Sequence, residues 1–214
     1  MRIVVIGSGR MGELRARLLA EDPAVGEVAL AGRESARLHE VAEGLDLPVV
    51  PLEGALEGAV HGADGVVICT ATSSHAELLA TAIEAGVTTL CEKPLAGELA
   101  QTTALAERAE ERGVTVQVGY HRRFDPAMAA MRQEVGSGRA GTLYTLRLLS
   151  HDHVLSPPEF IPGSGGIFRD LHVHDFDLLR WLTGREVDTV FATGSLRLHD
   201  RYAASGDVDT SAIV

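Results

Sequence analysis

Hydrophobic positions follow two different periods along the first 119 residues of the chain. Short runs rich in β-branched residues predict buried strands, and segments with apolar residues three and four positions apart predict helices. The predicted strands lie at residues 2–6, 27–31, 48–50, 65–69, 87–91 and 115–119. The predicted helices between them lie at residues 11–19, 35–43, 53–60, 76–85 and 98–112. This alternation predicts an α/β domain over residues 1–119, with a doubly wound parallel sheet.

The turn between the first strand and the first helix is rich in glycine. Its spacing, Gly7-x-Gly9-x-x-Gly12, is weak evidence alone, but here it lies between a strand and a helix. In that setting Gly7 permits the tight turn, Gly9 lets the backbone approach a pyrophosphate, and Gly12 allows close packing of helix on strand. The phosphates lie at the N-terminus of the helix. The pattern predicts a Rossmann dinucleotide site, in which Arg10 and Met11 also contact the cofactor.

The tip of the second strand bears on the choice of cofactor. In a Rossmann domain a carboxylate about 20 residues past the glycines binds the ribose 2′-hydroxyl and selects NAD. This sequence has Gly32 there, followed by Arg33, Glu34 and Ser35. Because Arg33 and Ser35 carry groups that bind a 2′-phosphate, the sequence favours NADP over NAD. In the alternative, Arg33 is a solvated surface residue and Glu34 binds the ribose of NAD.

Two loops follow the fourth and fifth strands, at the carboxyl edge of the sheet, where ligands of open α/β sheets bind. The first loop, residues 68–75, carries Thr70, Thr72 and His75, which we assign to cofactor binding. Ser74 begins a capping box, Ser-x-x-Glu, which predicts that the fourth helix starts there.

The second loop contains Glu92-Lys93-Pro94. Lys93 is the only lysine among the 19 Lys and Arg residues of the chain. A compact ammonium group whose pKa is easily tuned is the property that distinguishes lysine from arginine, so this position predicts a function. We expect Lys93 to point towards the nicotinamide end of the cofactor and Glu92 to pair with Lys93 or to anchor the loop. Both are assigned to the cofactor site, and Pro94 permits a cis bond.

The pattern changes after Gly119, and a second domain is predicted over residues 120–214. A polar and aromatic segment at 120–126 precedes a helix at 127–134 and an alternating strand at 142–150. Further strands are predicted at 187–197 and 210–214. A helix followed by alternating strands indicates that this second domain is of the α+β class.

Residues 165–184 carry an unusual density of acid and base side chains. Apolar spacing predicts a helix over 170–183, so that Asp170 and His174 lie one turn apart and Asp177 shares their face. A carboxylate next to an imidazole orients its tautomer and raises its basicity, as a general acid/base requires. The alternative is a capping aspartate beside a core histidine whose polar atoms are satisfied.

Composition excludes several classes of function. With 30 acidic residues against 19 Lys and Arg, the net charge of −11 argues against nucleic-acid and anionic-membrane partners. No apolar run is long enough to span a bilayer and no secretory signal is visible, so a cytoplasmic protein is expected. Cys69 and Cys91 end apolar runs, which predicts buried reduced thiols.

Four motifs follow one another along the chain: Gly7-x-Gly-x-x-Gly12, Glu92-Lys-Pro94, Tyr120-His-Arg-Arg-Phe-Asp125 and Gly165-Gly-x-x-x-Asp-x-x-x-His-Asp175. Together they resemble the glucose–fructose oxidoreductase, inositol 2-dehydrogenase and MocA family (Gfo/Idh/MocA). The resemblance implies NAD(P)-dependent hydride transfer to or from a polyol, sugar or inositol. It also implies that Lys93, Asp170 and His174 are the catalytic residues.

The same resemblance implies that Arg123, Asp152 and Asp177 face the substrate, and that the protein forms homo-oligomers through its C-terminal sheet. The chain departs from the family in two places. His151-Asp-His153 stands where family members often carry Arg-Asp-Pro. Family members also continue well past residue 214 with further strands of an open sheet. The resemblance therefore implies that residues 120–214 form an α+β open-sheet substrate domain that is incomplete at its C-terminal end, and that the chain is C-terminally short.

Two alternatives stay open on the sequence. The first is a metal-dependent hydrolase built on His172, His174 and Asp175 with Asp170, which needs a strand there, because residues two apart diverge on a helix. Because a helix is predicted there, the sequence argues against a metal site at these residues. The second is a non-catalytic NAD(P)-binding sensor or remnant without the terminal strands.

Overall fold

The structure, a computed structural model, describes residues 1–52, 56–151, 154, 156–157, 159–197 and 200–214. It divides into two compact units, Met1–Gly119 and Tyr120–Val214.

The first unit alternates strands and helices along the chain. Its elements are β1 (Arg2–Ile6), α1 (Arg10–Ala20), β2 (Glu27–Gly32), α2 (Ala36–Gly44), β3 (Val49–Pro51), α3 (Leu56–Val60), β4 (Gly65–Ile68), α4 (Thr72–Glu84), β5 (Thr88–Cys91), α5 (Leu99–Arg112) and β6 (Val116–Val118). The strands form one parallel sheet in the order β3-β2-β1-β4-β5-β6. This is the Rossmann sheet that the hydrophobic pattern predicts.

Both faces of the sheet are buried, each beneath its own layer of helices. On one face Ile6 and Ile68 pack in a cluster with Leu79 and Ile83 of α4. On the other face Val5 packs in a cluster with residues that include Leu38 of α2. The strand order reverses between β1 and β4, and the crevice at their carboxyl ends is where an open α/β sheet binds its ligand.

The second unit is mainly helical. A short 3₁₀ helix (His121–Phe124) precedes α6 (Pro126–Gly136), α7 (Ile161–Ser164), α8 (Ile167–Asp170), α9 (Val173–Thr183), β7 (Ala192–Ser195), a second 3₁₀ helix (Asp200–Ser205) and β8 (Thr210–Ile213). Asp125 caps α6 by accepting hydrogen bonds from the N–H groups of Ala127 and Met128. Strands β7 and β8 pair antiparallel, with Ala192 opposite Ile213.

Two predicted strands of this unit differ from the structure. Residues 142–150 form no strand, and the strand predicted at 187–197 is reduced to β7. Tyr144 in the first segment is 91% exposed. An alternation of apolar and polar residues indicates a segment with one buried face and one exposed face. A strand also needs a neighbouring strand with which its backbone can form hydrogen bonds.

Cys69 and Cys91 are buried free thiols, as predicted. Burial raises the pKa of each thiol to about 12. Because the thiolate rather than the thiol is the reactive form, both side chains remain unreactive at neutral pH. None of the helices in the described part of the chain combines the length and the apolar character needed to cross a membrane.

Candidate active site

The glycine turn between β1 and α1 has no room for side chains at two of its three glycines. Gly7 has φ of +115°, and a Cβ atom added there would lie 2.7 Å from the carbonyl oxygen of Cys69. A Cβ added at Gly12 would lie 1.9 Å from the carbonyl oxygen of Gly7. A Cβ at Gly9 would meet no atom within 4 Å. Gly7 and Gly12 are therefore closely packed, whereas the space over Gly9 is open.

This turn fits a dinucleotide. Gly9 is the N-cap of α1, and Arg10 and Met11 are the first helical residues. The N–H groups of a helix's first turn have no partner within the helix and attract an anion. Gly9, Arg10 and Met11 are therefore the residues that would hold the pyrophosphate.

The tip of β2 has no acidic side chain at its last residue, Gly32. A Cβ added there would lie 3.1 Å from Leu38 Cδ1, so a larger residue would have to displace Leu38. Arg33 is exposed. The Glu34 carboxylate contacts Nε2 of His39, and the Ser35 hydroxyl caps α2 by accepting a hydrogen bond from the Leu38 N–H.

The loop between β4 and α4 places Thr70 and Thr72 at the same edge of the sheet. The fourth helix begins at Thr72, with Ala71 as its N-cap, so the prediction that Ser74 starts the helix is wrong. Ser74 lies inside the first turn, where its hydroxyl is 2.8 Å from Thr70 Oγ1 and 2.9 Å from the Ala71 carbonyl. Ala71 has no capping side chain, so the sequence carries no signal for the true start.

His75 of α4 is 1% exposed and contacts two loops. Its Nδ1 lies 2.7 Å from the carbonyl oxygen of Pro94, and its Nε2 lies 3.0 Å from that of Thr70. Both ring nitrogens therefore face the chain's own backbone.

Glu92, Lys93 and Pro94 follow β5 directly. The Glu92 carboxylate is bound by Arg15 of α1, whose Nε and Nη2 lie 3.0 Å and 2.7 Å from Glu92 Oε1. Arg15 was not singled out in the sequence, because its partner is 77 positions away. The Lys93–Pro94 peptide bond is cis, and Lys93 is partly buried.

The helix predicted over 170–183 is interrupted. Helix α8 ends at Asp170, residues 171 and 172 form a turn, and α9 begins at Val173. The His174 N–H bonds to the Leu171 carbonyl at 3.3 Å, so Asp170 and His174 are not one turn apart on a regular helix as predicted. The interruption accompanies a long-range contact of His172 with Ser211, of which local periodicity carries no signal.

His174 lies in the first turn of α9 and is 7% exposed. Its ring makes an edge contact with the ring of His121, with the ring centroids 4.8 Å apart. His121 belongs to the Tyr120–Asp125 motif, and this motif is the signal through which the sequence could have identified it. Asp170 is partly buried at the end of α8.

Arg123 and Asp177, both predicted to face the substrate, bind each other. The guanidinium contacts both carboxylate oxygens, with Nε 2.8 Å from Oδ2. The hydrogen bond that Arg123 donates to Asp177 raises the pKa of Arg123 above its ordinary value. Such a bidentate pair holds both side chains in one orientation. Asp152, the third predicted substrate residue, and His153 lie outside the described residues.

A second polar network joins Asp175 to its neighbours. His172 Nδ1 is 2.8 Å from Asp175 Oδ2, and His172 Nε2 is 2.7 Å from Ser211 Oγ. Arg122 and Ser150 both donate to Asp175 Oδ1. Across the described ranges, no group of three or more His, Cys, Asp and Glu residues is arranged to hold a metal ion.

Two family models match the chain. Residues 1–120 match a model described as an oxidoreductase family with an NAD-binding Rossmann fold. Residues 128–214 match the GFO/IDH/MocA C-terminal domain. Together they cover most of the chain and agree with the four sequence motifs.

Individual relatives agree with these models. The chain is 40% identical over 213 residues to a myo-inositol dehydrogenase from Streptomyces leeuwenhoekii, covering 98% of this chain and 64% of that protein. It is 34% identical over 216 residues to a scyllo-inositol 2-dehydrogenase (NAD(+)) from Bacillus subtilis, covering 98% and 61%. A crystal structure of a myo-inositol dehydrogenase from Corynebacterium glutamicum has a TM-score of 0.89 at 33% identity, covering 100% and 63%. The chain therefore spans less than two thirds of the length of these relatives.

Proposed function

The chain belongs to the GFO/IDH/MocA family of oxidoreductases, and on that premise we propose that it transfers a hydride between NAD(P) and an inositol or related polyol. The observation that carries the proposal is the glycine turn, whose open space over Gly9 lies at the N-terminus of α1. Lys93 follows a strand of the same sheet, at its carboxyl edge. The substrate class comes from the inositol dehydrogenases that the chain resembles.

In the proposed mechanism the protein's side chains transfer the proton of the substrate hydroxyl and stabilise the charge on the substrate oxygen. The bound nicotinamide supplies the acceptor for the hydride. His174 accepts the proton of the substrate hydroxyl as a general base, and returns it in the reverse reaction. Lys93 donates a hydrogen bond to the same oxygen and stabilises the negative charge that develops there. Asp170 contributes a negative charge that stabilises the protonated His174.

The remaining site residues bind and orient. We propose that Thr70, Thr72 and the backbone of the glycine turn hold the cofactor. Arg123 and Asp177 offer a fixed pair of donors and acceptors to the polyol hydroxyls, because each already holds the other in place. Asp152 stays a proposed substrate residue. Homo-oligomerisation through the C-terminal sheet and a cytoplasmic location stay predictions.

The proposal predicts that the 214-residue chain binds NADP⁺ or NAD⁺ and reduces it in the presence of myo-inositol or scyllo-inositol. Calorimetric titration with the two cofactors in parallel measures binding, and binding to the folded state also raises the melting temperature. The absorbance of the reduced cofactor measures turnover. Binding without turnover on any polyol would favour the non-catalytic sensor. Absence of both would contradict the proposal.

We further propose that NADP is preferred over NAD, because Gly32 removes the repelling carboxylate and Arg33 is free to approach the 2′-phosphate. Arg33→Ala is expected to weaken NADP⁺ binding about tenfold, as loss of one charge-assisted hydrogen bond does, and to leave NAD⁺ binding unchanged. Calorimetry on the variant measures both affinities. The matched control is Arg37→Ala, because exposed Arg37 is already paired with Glu13 and Glu40. Equal losses for the two cofactors would contradict the preference.

A further inference from the structure

Lys93 lies between two residues that are each held from outside the loop. On one side, the Glu92 carboxylate accepts two hydrogen bonds from Arg15. On the other side, the Pro94 carbonyl contacts His75. Neither Arg15 nor His75 has a role in the mechanism proposed above. Each is instead placed where it fixes a neighbour of the proposed catalytic lysine.

The Arg15 anchor is enclosed. Glu92 is 7% exposed, and its second carboxylate oxygen lies against Gly119, where an added Cβ would come within 2.7 Å of Oε2. The carboxylate is thus confined between the guanidinium and the Gly119 backbone. A buried carboxylate that loses its cationic partner is strongly disfavoured, so Glu92 depends on Arg15 for its position.

The His75 anchor joins the two loops at the edge of the sheet. An N–H on Nδ1 donates a hydrogen bond to the Pro94 carbonyl, whose oxygen lies 2.7 Å away. Nε2 faces the Thr70 carbonyl at 3.0 Å. Since His75 is fully enclosed, its ring has little freedom to turn away from Pro94.

The two anchors come from helices that begin at the two proposed cofactor loops. Arg15 is in α1, which starts at the glycine turn, and His75 is in α4, which starts after Thr70 and Ala71. We propose that Arg15 and His75 are positioning residues that hold Lys93 in its reactive orientation, one through Glu92 and the other through Pro94. The inference rests on the proposed function only in taking Lys93 as the catalytic lysine.

Because Lys93 is the only lysine in the chain, its orientation is measurable without turnover. Reductive methylation with ¹³C-formaldehyde labels Lys93 and the N-terminal amine, and NMR resolves the two. We expect a dispersed Lys93 resonance in the wild-type chain. Arg15→Met and His75→Ala are each expected to move it towards the position found in a short peptide. Exposed Arg17 and His61 are the matched controls, and Arg17→Met and His61→Gln should leave the resonance in place.

Two conservative variants separate positioning from general loss of stability. The amide nitrogen of asparagine is placed like Nδ1 of histidine, and that of glutamine is placed like Nε2. His75→Asn is therefore expected to restore the Lys93 resonance at least in part, and His75→Gln is not. Gly119→Ala should shift the resonance as well, because its methyl group displaces the Glu92 carboxylate. Melting temperatures are recorded for every variant, since a purely structural role would lower them without moving the resonance.

The positioning role is overturned if Arg15→Met and His75→Ala leave the Lys93 resonance at its wild-type position, or if the wild-type resonance already has the peptide value.

Turnover separates this outcome from failure of the proposed function. With a working dehydrogenase, both variants are expected to lower kcat about tenfold while cofactor affinity stays nearly unchanged. If the wild-type chain shows no turnover but the resonance depends on both anchors, hydride transfer is wrong and the positioning role stands. If the wild-type chain turns over and neither kcat nor the resonance responds to the variants, the positioning role is wrong.

Discussion

His174→Ala is expected to lower kcat for inositol oxidation by about 10²–10⁴-fold, the contribution of a positioned general acid/base. Alanine has no group that can take the hydroxyl proton, which is the role proposed for His174. Cofactor affinity should hardly change, because the glycine turn that is proposed to hold the pyrophosphate lies in the other unit. Steady-state turnover and calorimetric titration measure the two quantities.

His174 is buried against His121, so its removal also affects packing. His174→Gln retains most of the side-chain volume and serves as the second variant. His39→Gln is the control, because that histidine is exposed and paired with Glu34 on the surface. Wild-type kcat in both His174 variants would show that another group takes the proton.

Lys93→Ala is expected to lower kcat by about 10²–10³-fold, equivalent to about 2.7–4 kcal/mol of transition-state stabilisation. The ammonium group is proposed to donate to the oxygen on which negative charge develops, and this interaction is stronger in the transition state than in the ground state. The loss should therefore fall on kcat more than on KM. Steady-state kinetics with inositol as the varied substrate measure both.

Lys93→Arg is the informative companion variant. It keeps the positive charge, but the guanidinium is planar and larger, so we expect it not to restore turnover. Arg17→Ala removes an exposed cation from the same unit and should leave kcat unchanged. A Lys93→Ala enzyme with wild-type kcat would remove the lysine from the mechanism.

The two catalytic substitutions are not expected to be additive. When two residues act together in one catalytic step, removal of either one already abolishes most of the rate enhancement that the two provide. The double variant should therefore have a kcat close to that of the slower single variant.

The first unit was predictable from sequence because its signals are local. The two hydrophobic periods indicate which segments are strands and which are helices. The alternation of strands with helices along the chain then indicates a doubly wound sheet. The three glycines at 7, 9 and 12 predicted the turn because only glycine fits the spaces observed at Gly7 and Gly12. Lys93 stood out by composition and by its place after a strand.

Several features depended on contacts that no local pattern contains. The Arg15–Glu92 pair joins positions 77 apart, and the His172–Ser211 contact joins positions 39 apart. The break between α8 and α9 accompanies the second of these contacts, and it removed the helical spacing predicted for Asp170 and His174. The strand predicted at 142–150 failed for a related reason, since backbone pairing depends on a neighbour and not on the alternation of the segment itself.

By itself, the sequence determined the order of strands and helices in the first unit, the glycine turn and the family, because each of these follows from residue types at short, regular spacings. Only the tertiary structure decided which polar groups contact one another: Glu92 with Arg15, His75 with the Pro94 carbonyl, and Arg123 with Asp177. The physical reason is that hydrogen bonds and ion pairs act over a few ångströms in space. Residues far apart in sequence meet at that distance only after the chain has folded.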